Sequence, residues 1–165
     1  MRLRTDREAL TAAAVVCEAV GGLTPMHEPD ERVFALLRNA LRAFDEGFWG
    51  PALQAPLLLG ALLKLLHIAG YMPVLSSCAA CGGGERALGF SAAQGGLMCP
   101  DCMDDAAPAT PQAIAVMQDA MTQSLAELGD ADPVPAVGEA IGHVHALYRY
   151  HTGGRLRSLH FAHAG

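Results

Sequence analysis

Apolar side chains recur every three to four residues along most of this chain, the spacing of helices that bury one stripe. Thr5-Asp6-Arg7-Glu8 has the form of a capping box, and the Ala-rich segment to Val20 reads as a first helix stopped by Gly21-Gly22. Pro29-Asp30 opens a second, with Val33, Leu36, Leu37, Leu41 and Phe44 on one face and its end at Gly47. After the corner Phe48-Trp49-Gly50-Pro51, residues 52–69 form a third helix, apolar on nearly every side, as expected of an element in the middle of a bundle. Trp49 reads as a core plug, with base stacking the sharper alternative. Thr110-Pro111 is an N-cap followed by proline at the first turn. The helix it starts carries Ile114, Met117, Met121, Leu125 and Leu128 to Gly129, a core stripe more than a docking groove. Pro133 and Pro135 precede a last helix, with Val137, Ile141, Val144 and Tyr148 inward and Gly153-Gly154 at its end.

Helical spacing fails between residues 70 and 109, and there the cysteines appear. Cys78-Ala79-Ala80-Cys81 is followed, after seventeen residues, by Cys99-Pro100-Asp101-Cys102. Two Cys-x-x-Cys pairs at this separation read as a four-thiolate zinc site. Zn²⁺ takes four ligands in a tetrahedron, and a Cys-x-x-Cys turn brings two sulfurs to one metal while backbone N–H groups point at them. Gly82-Gly83-Gly84 and Gly95-Gly96 supply turn residues beside each pair, and Leu88–Ser91 with Leu97-Met98 read as a short hairpin. Cys78, Cys81, Cys99 and Cys102 fill the coordination sphere, so the site is structural, not catalytic. Iron could take the same ligands. Disulfides would need an oxidising compartment, and a thioredoxin-type redox pair explains one Cys-x-x-Cys, not two. The expected architecture is all-α: one domain over 1–165, a bundle of about five helices with a zinc knuckle at about 76–104 inserted between the third and fourth.

Composition changes this picture little. Apolar residues make up 52% and charged residues 17%, which favours a packed chain over a disordered one. The formal charge is −6; four thiolates on one Zn²⁺ would bring it to about −8. A domain this acidic is a poor generic nucleic-acid binder, so any DNA contact must come from a local basic patch or another chain. Lys64 and His67 interrupt the longest apolar run, which is short for a membrane span. Reduced cysteines without a targeting segment point to the cytoplasm. Cys17, outside the motif, reads as a small apolar residue on a helix face.

No glycine-rich phosphate loop, nucleophile elbow or triad is present, so no enzyme activity and no small-molecule substrate are expected. His143 and His145 read as solvated helix histidines, His67 could reach the cysteine module, and Glu127, Asp130 and Asp132 as a turn cluster. Three of the chain's ten arginines, Arg149, Arg155 and Arg157, fall within nine residues near the C-terminus. Their bland reading is a solvated helix end; the functional one is contact with phosphate or an acidic peptide.

Taken together, several stretches resemble the bacterial DNA repair protein family RecO. Leu62-Leu63-Lys64-Leu65-Leu66-His67-Ile68-Ala69-Gly70-Tyr71-Met72-Pro73-Val74-Leu75 is similar to the family's helix ending in Gly-Tyr-x-Pro-x-Leu before the metal cysteines. The two cysteine pairs, Phe90-Ser91 and Gly95-Gly96-Leu97-Met98 follow in the family's order, and Tyr150-His151-Thr152-Gly153-Gly154-Arg155-Leu156-Arg157-Ser158-Leu159 is similar to its closing Gly-x-x-Leu-(Lys/Arg)-Ser. The likeness extends from Asp6–Glu18 over essentially the whole chain. It implies a non-enzymatic mediator of recombinational repair that binds and anneals DNA. The implied partners are RecR, the acidic tail of single-stranded-DNA-binding protein, and RecA, which the mediator helps to load at the nucleoid. RecO proteins open with a DNA-binding OB-fold, and this sequence starts at the helical domain without one; the expectation is a fragment lacking that barrel. The alternative is a zinc-stabilised helical adaptor that binds protein and not DNA. A thiol-based redox protein is a third reading, which tight metal retention would exclude.

Overall fold

The computed structural model describes residues 2–24, 29–46, 51–83, 88–129 and 134–162. The helices are α1 (Arg7–Leu23), α2 (Glu31–Glu46), α3 (Pro51–Ile68), α4 (Pro111–Thr122), α5 (Leu125–Gly129), α6 (Val137–Thr152) and α7 (Leu159–Ala162). Five are long, as expected from the apolar spacing, and α5 and α7 are short. The bundle is built on α3, which packs against α1, α2, α4, α5 and α6. Leu57, Leu59, Leu63, Leu65 and Leu66 of α3 are fully buried, each contributing about 1.5–3 kcal/mol of hydrophobic stabilisation. An all-round apolar helix in the middle is what the sequence dictated. Trp49, Asp130 and Asp132 lie outside the described residues.

The differences from the expected boundaries have local causes. The N-cap of α1 is Asp6, not Thr5: its carboxylate accepts hydrogen bonds from the Glu8 and Ala9 amides. Gly21-Gly22 does not stop α1, which runs on to Leu23. Here α1 lies against α6, and a Cβ on Gly22 would collide with the Tyr148 hydroxyl. Glycine at this point permits close helix approach and leaves the helix intact. The single helix expected over 111–129 is two. Thr122 ends α4, and Ser124 with Glu127 forms a second capping box: Ser124 N–H donates to Glu127 Oε2 at 2.7 Å, and Glu127 N–H to Ser124 Oγ at 3.2 Å. Lys64 of α3 closes the break, its Nζ donating to the Ala120 and Gln123 carbonyls at 2.9 and 2.7 Å. Carbonyls left open at a helix end are thereby capped by a cation.

At its far end α6 stops in a left-handed turn at Gly153, φ 68°. The following strand of chain folds back on the bundle. Leu156 and Leu159 are buried, and both oxygens of Glu18 on α1 accept backbone N–H bonds, from Arg157 and Ser158, each at 2.9 Å. Burial alone would raise the Glu18 carboxyl; the amides of Ser158 and Arg157 outweigh it and hold it below its ordinary value. Cys17 is on a helix face, as expected, but an exposed one.

A candidate metal centre

From α3 the chain turns at Gly70 and runs extended into the cysteine module. Three short strands form an antiparallel sheet in the order β2-β1-β3: β1 is Gly89–Ser91, β2 Gly96–Met98 and β3 Ala107–Pro108. The expected hairpin is β1–β2, with Phe90 opposite Leu97. The third strand lies beyond the knuckle expected at about 76–104. Ala107 pairs with Phe90, and Ala109 N–H donates to the Leu88 carbonyl at 2.9 Å. Val74 adds a parallel bridge on the other side of β2, donating to Gly95 O and accepting from Leu97 N–H, both at 2.9 Å. A Cβ on Gly96 would collide with the Val74 backbone, so only glycine lets the two segments meet.

This sheet carries the two Cys-x-x-Cys turns to one point. Cys78 N–H donates to Gly83 O at 2.7 Å, Gly82 N–H to Cys78 O at 2.8 Å, and Ala79 N–H to Leu97 O at 2.7 Å, fixing the first turn on β2. The second leaves β2 directly into a single 3₁₀ turn at Pro100–Cys102, closed by Cys102 N–H to Cys99 O at 3.0 Å. The sulfurs of Cys78, Cys81, Cys99 and Cys102 all lie within 4.8 Å of one another, and Cys81 and Cys99 are 3.8 Å apart. A tetrahedron of sulfurs at about 2.3 Å from a central zinc has edges of about 3.8 Å. The donor set therefore fits one tetrahedral metal ion. All five cysteines are free thiols, far from the roughly 2.05 Å of a disulfide.

The electrostatics agree with that reading. The Cys78 thiol is pulled down to about 6, by the backbone amide of Cys99 first and those of Cys81 and Ala80 after it. Cys102 is pushed up to about 12, by hydrogen bonding to Cys99 first and then Cys81, and burial raises Cys99. One thiolate forms readily in this cluster and its neighbours then resist ionisation; a divalent cation among them is what lets four coexist.

The module is fused to the bundle. Phe90, Leu97 and Leu75 are buried in the same hydrophobic core as α3, and Gln118 of α4 donates its side-chain N–H to Leu75 O at 2.5 Å. Phe90 meets His143 of α6, ring centroids 5.0 Å apart. His143 is thus buried, not solvated as the sequence suggested, because the module covers its face of α6. Its Nε2 has no hydrogen-bond partner among the described residues; Glu139 Oε1 comes no closer than 3.5 Å. Glu139 instead accepts from Thr110 N–H and Oγ1, both at 2.7 Å, which joins the start of α4 to α6. The Thr110 amide, first among its partners, holds the Glu139 carboxyl below its usual value. His145 is half-buried, its Nε2 accepting from Leu156 N–H at 3.2 Å. His67 is exposed, Nδ1 3.1 Å from Met72 Sδ, and is not one of the clustered ligands.

Arg149, Arg155 and Arg157 are all exposed, at the end of α6 and in the turn behind it, and not at the cysteine cluster. The buried Leu156 between the last two anchors the segment and turns both arginines outward. Sequence reasoning missed Glu18, Glu139 and Lys64. The only signal for Lys64 was its position as the single lysine, set in an apolar helix.

Comparison with known proteins agrees with this geometry. The family described as Recombination protein O C terminal matches residues 4–160. A DNA repair protein RecO of Anaeromyxobacter sp. (strain Fw109-5) is 34% identical over 167 residues, 96% of this chain and 63% of that protein. RecO of Roseiflexus sp. (strain RS-1) is 38% identical over 71% of the chain and 41% of its own length, and RecO of Rubrobacter xylanophilus 41% identical over 66% and 42%. The chain thus spans less than two thirds of these relatives. Among the described residues no helix is long and apolar enough to cross a membrane. The chain belongs to the recombination protein O family, matching its C-terminal part.

Proposed function

We propose that this chain serves a non-enzymatic mediator of recombinational DNA repair in the cytoplasm. In that role RecO binds and anneals DNA and, with RecR, helps load RecA onto strands coated by single-stranded-DNA-binding protein. The observation that carries this is the family match over residues 4–160, which spans the whole bundle and the cysteine module. In this reading Cys78, Cys81, Cys99 and Cys102 hold one structural Zn²⁺, which locks the module to α3, α4 and α6. Arg149, Arg155 and Arg157 contact DNA phosphate or the acidic tail of the single-strand-binding protein. The test is annealing of complementary oligonucleotides precoated with single-stranded-DNA-binding protein, with RecR and this chain added. Acceleration, and its loss on reversing the three arginine charges, is the expected result; no acceleration would refute it.

A second reading is favoured by the formal charge of −6: a zinc-stabilised helical adaptor that binds partner proteins and not DNA. Retention of RecR or of the acidic tail peptide, without salt-dependent DNA affinity, would select it.

A further inference from the structure

Where α3 ends and α6 ends, the fold places aromatic rings together at the surface. Tyr71, three residues past α3, stacks on His151 near the end of α6, with ring centroids 4.0 Å apart and planes at 19°. Tyr150 meets the same imidazole edge-on, centroids 5.3 Å apart and planes at 85°. Neither tyrosine is a core residue: Tyr71 is 39% and Tyr150 58% exposed, and His151 is exposed too. Adjoining aromatic rings exposed at a surface are of the kind that marks a contact site. Two arginines adjoin them in sequence, in an otherwise acidic chain. Arg149 immediately precedes Tyr150, and Arg155 follows two residues after the turn at Gly153; both are exposed, and no described carboxylate pairs with either.

We infer that Tyr71, His151 and Tyr150 form a stacking platform for unpaired bases of single-stranded nucleic acid, with Arg149 and Arg155 on its phosphates. This rests on the DNA-handling reading above and adds a site to it. The chemistry selects the ligand class. A flat ring pair continues a base stack, since every base has a π-face, and guanidinium groups fork onto phosphate. An acidic peptide would use the arginines but gain nothing from parallel rings. A duplex keeps its bases stacked inside and offers none to the platform. The acidic net charge makes binding weak, and two arginines predict a shallow salt dependence, a log–log slope of about −1.4 from ~0.7 per phosphate on a single strand.

The test uses the full chain and a fluorescent oligothymidylate, read by anisotropy at low salt. Tyr71→Leu and Tyr150→Leu are expected each to weaken binding about tenfold with an unchanged melting curve, and Tyr71→Phe to keep it. An oligonucleotide carrying 5-iododeoxyuridine should cross-link on irradiation to Tyr71 or Tyr150, located by mass spectrometry. That readout would not respond to a structural role alone. If the chain binds but the leucine variants bind equally well, or Phe fails to substitute, the platform is wrong while DNA handling stands. If the chain binds no single strand at all, the platform falls; RecR-dependent annealing then decides separately whether the mediator reading survives. Tyrosine-dependent binding of the acidic tail peptide in place of DNA would equally overturn it.

Discussion

Glu18→Gln isolates the clamp that holds the C-terminal segment. In the native protein both carboxylate oxygens accept backbone N–H bonds, from Arg157 and Ser158 at 2.9 Å each. Glutamine has nearly the same shape but one acceptor oxygen, and its amide would face an N–H. One hydrogen bond to a charged group is worth roughly 1.5–3 kcal/mol when buried. Glu18 is only part-buried, so solvent screening reduces the loss for the pair to about 1–2 kcal/mol. For a chain of this size that lowers the melting temperature by about 2–8 °C. The same clamp sets a pH dependence. Its folded carboxyl titrates below the ordinary value of 4.5, so the stabilisation is complete above that pH and is lost as pH falls through the lower folded value. The assay is thermal melting of wild type and Glu18→Gln between neutral and acid pH, with amide hydrogen exchange at Arg157 and Ser158. The variant should show faster exchange at those two amides, and the gap in melting temperature should close at acid pH. Unchanged exchange there, or a gap independent of pH, would refute the clamp.

Three further perturbations probe the joints around the cysteine module. Lys64→Met keeps the aliphatic stem and removes the cap on α4; loss of two charge-assisted bonds, partly offset by relief of burying the ammonium, should cost about 1–2 kcal/mol in denaturant unfolding. Wild-type stability would contradict the cap. Gly96→Ala forces a methyl into the Val74 backbone and should destabilise by about 2 kcal/mol; a neutral result would mean that Val74 does not bridge β2. His143→Leu removes a buried nitrogen that has no hydrogen-bond partner among the described residues, with Glu139 Oε1 3.5 Å away, while keeping apolar contact with Phe90. It should be neutral or stabilising by up to about 1 kcal/mol in the same assay, and a large loss would reveal a hydrogen bond at Nε2.

How legible the molecule was varies with the kind of information each part needed. The helices and the inserted cysteine module follow from local pattern: period, caps, and two Cys-x-x-Cys turns that need little else to converge. What escaped were contacts made across the sequence. Whether Gly22 ends a helix or admits Tyr148 depends on α6, more than a hundred residues away. Whether His143 meets water depends on Phe90 in another module. The break between α4 and α5 was legible in Ser124-Leu125-Ala126-Glu127, a capping box hidden by an apolar stripe running straight through it. β3 has only two residues and no pattern of its own, since it is defined by pairing with β1. The arginine cluster was visible as composition, but the buried Leu156 and the Glu18 clamp that orient it were not.

The most direct test of the metal centre is the metal content per chain, by inductively coupled plasma mass spectrometry on protein purified without added metal. One zinc per chain is the predicted result, falling to none in Cys78→Ser and Cys102→Ser as the module loosens from the bundle. A folded wild-type chain carrying no metal, or serine variants that keep both zinc and melting behaviour, would contradict it.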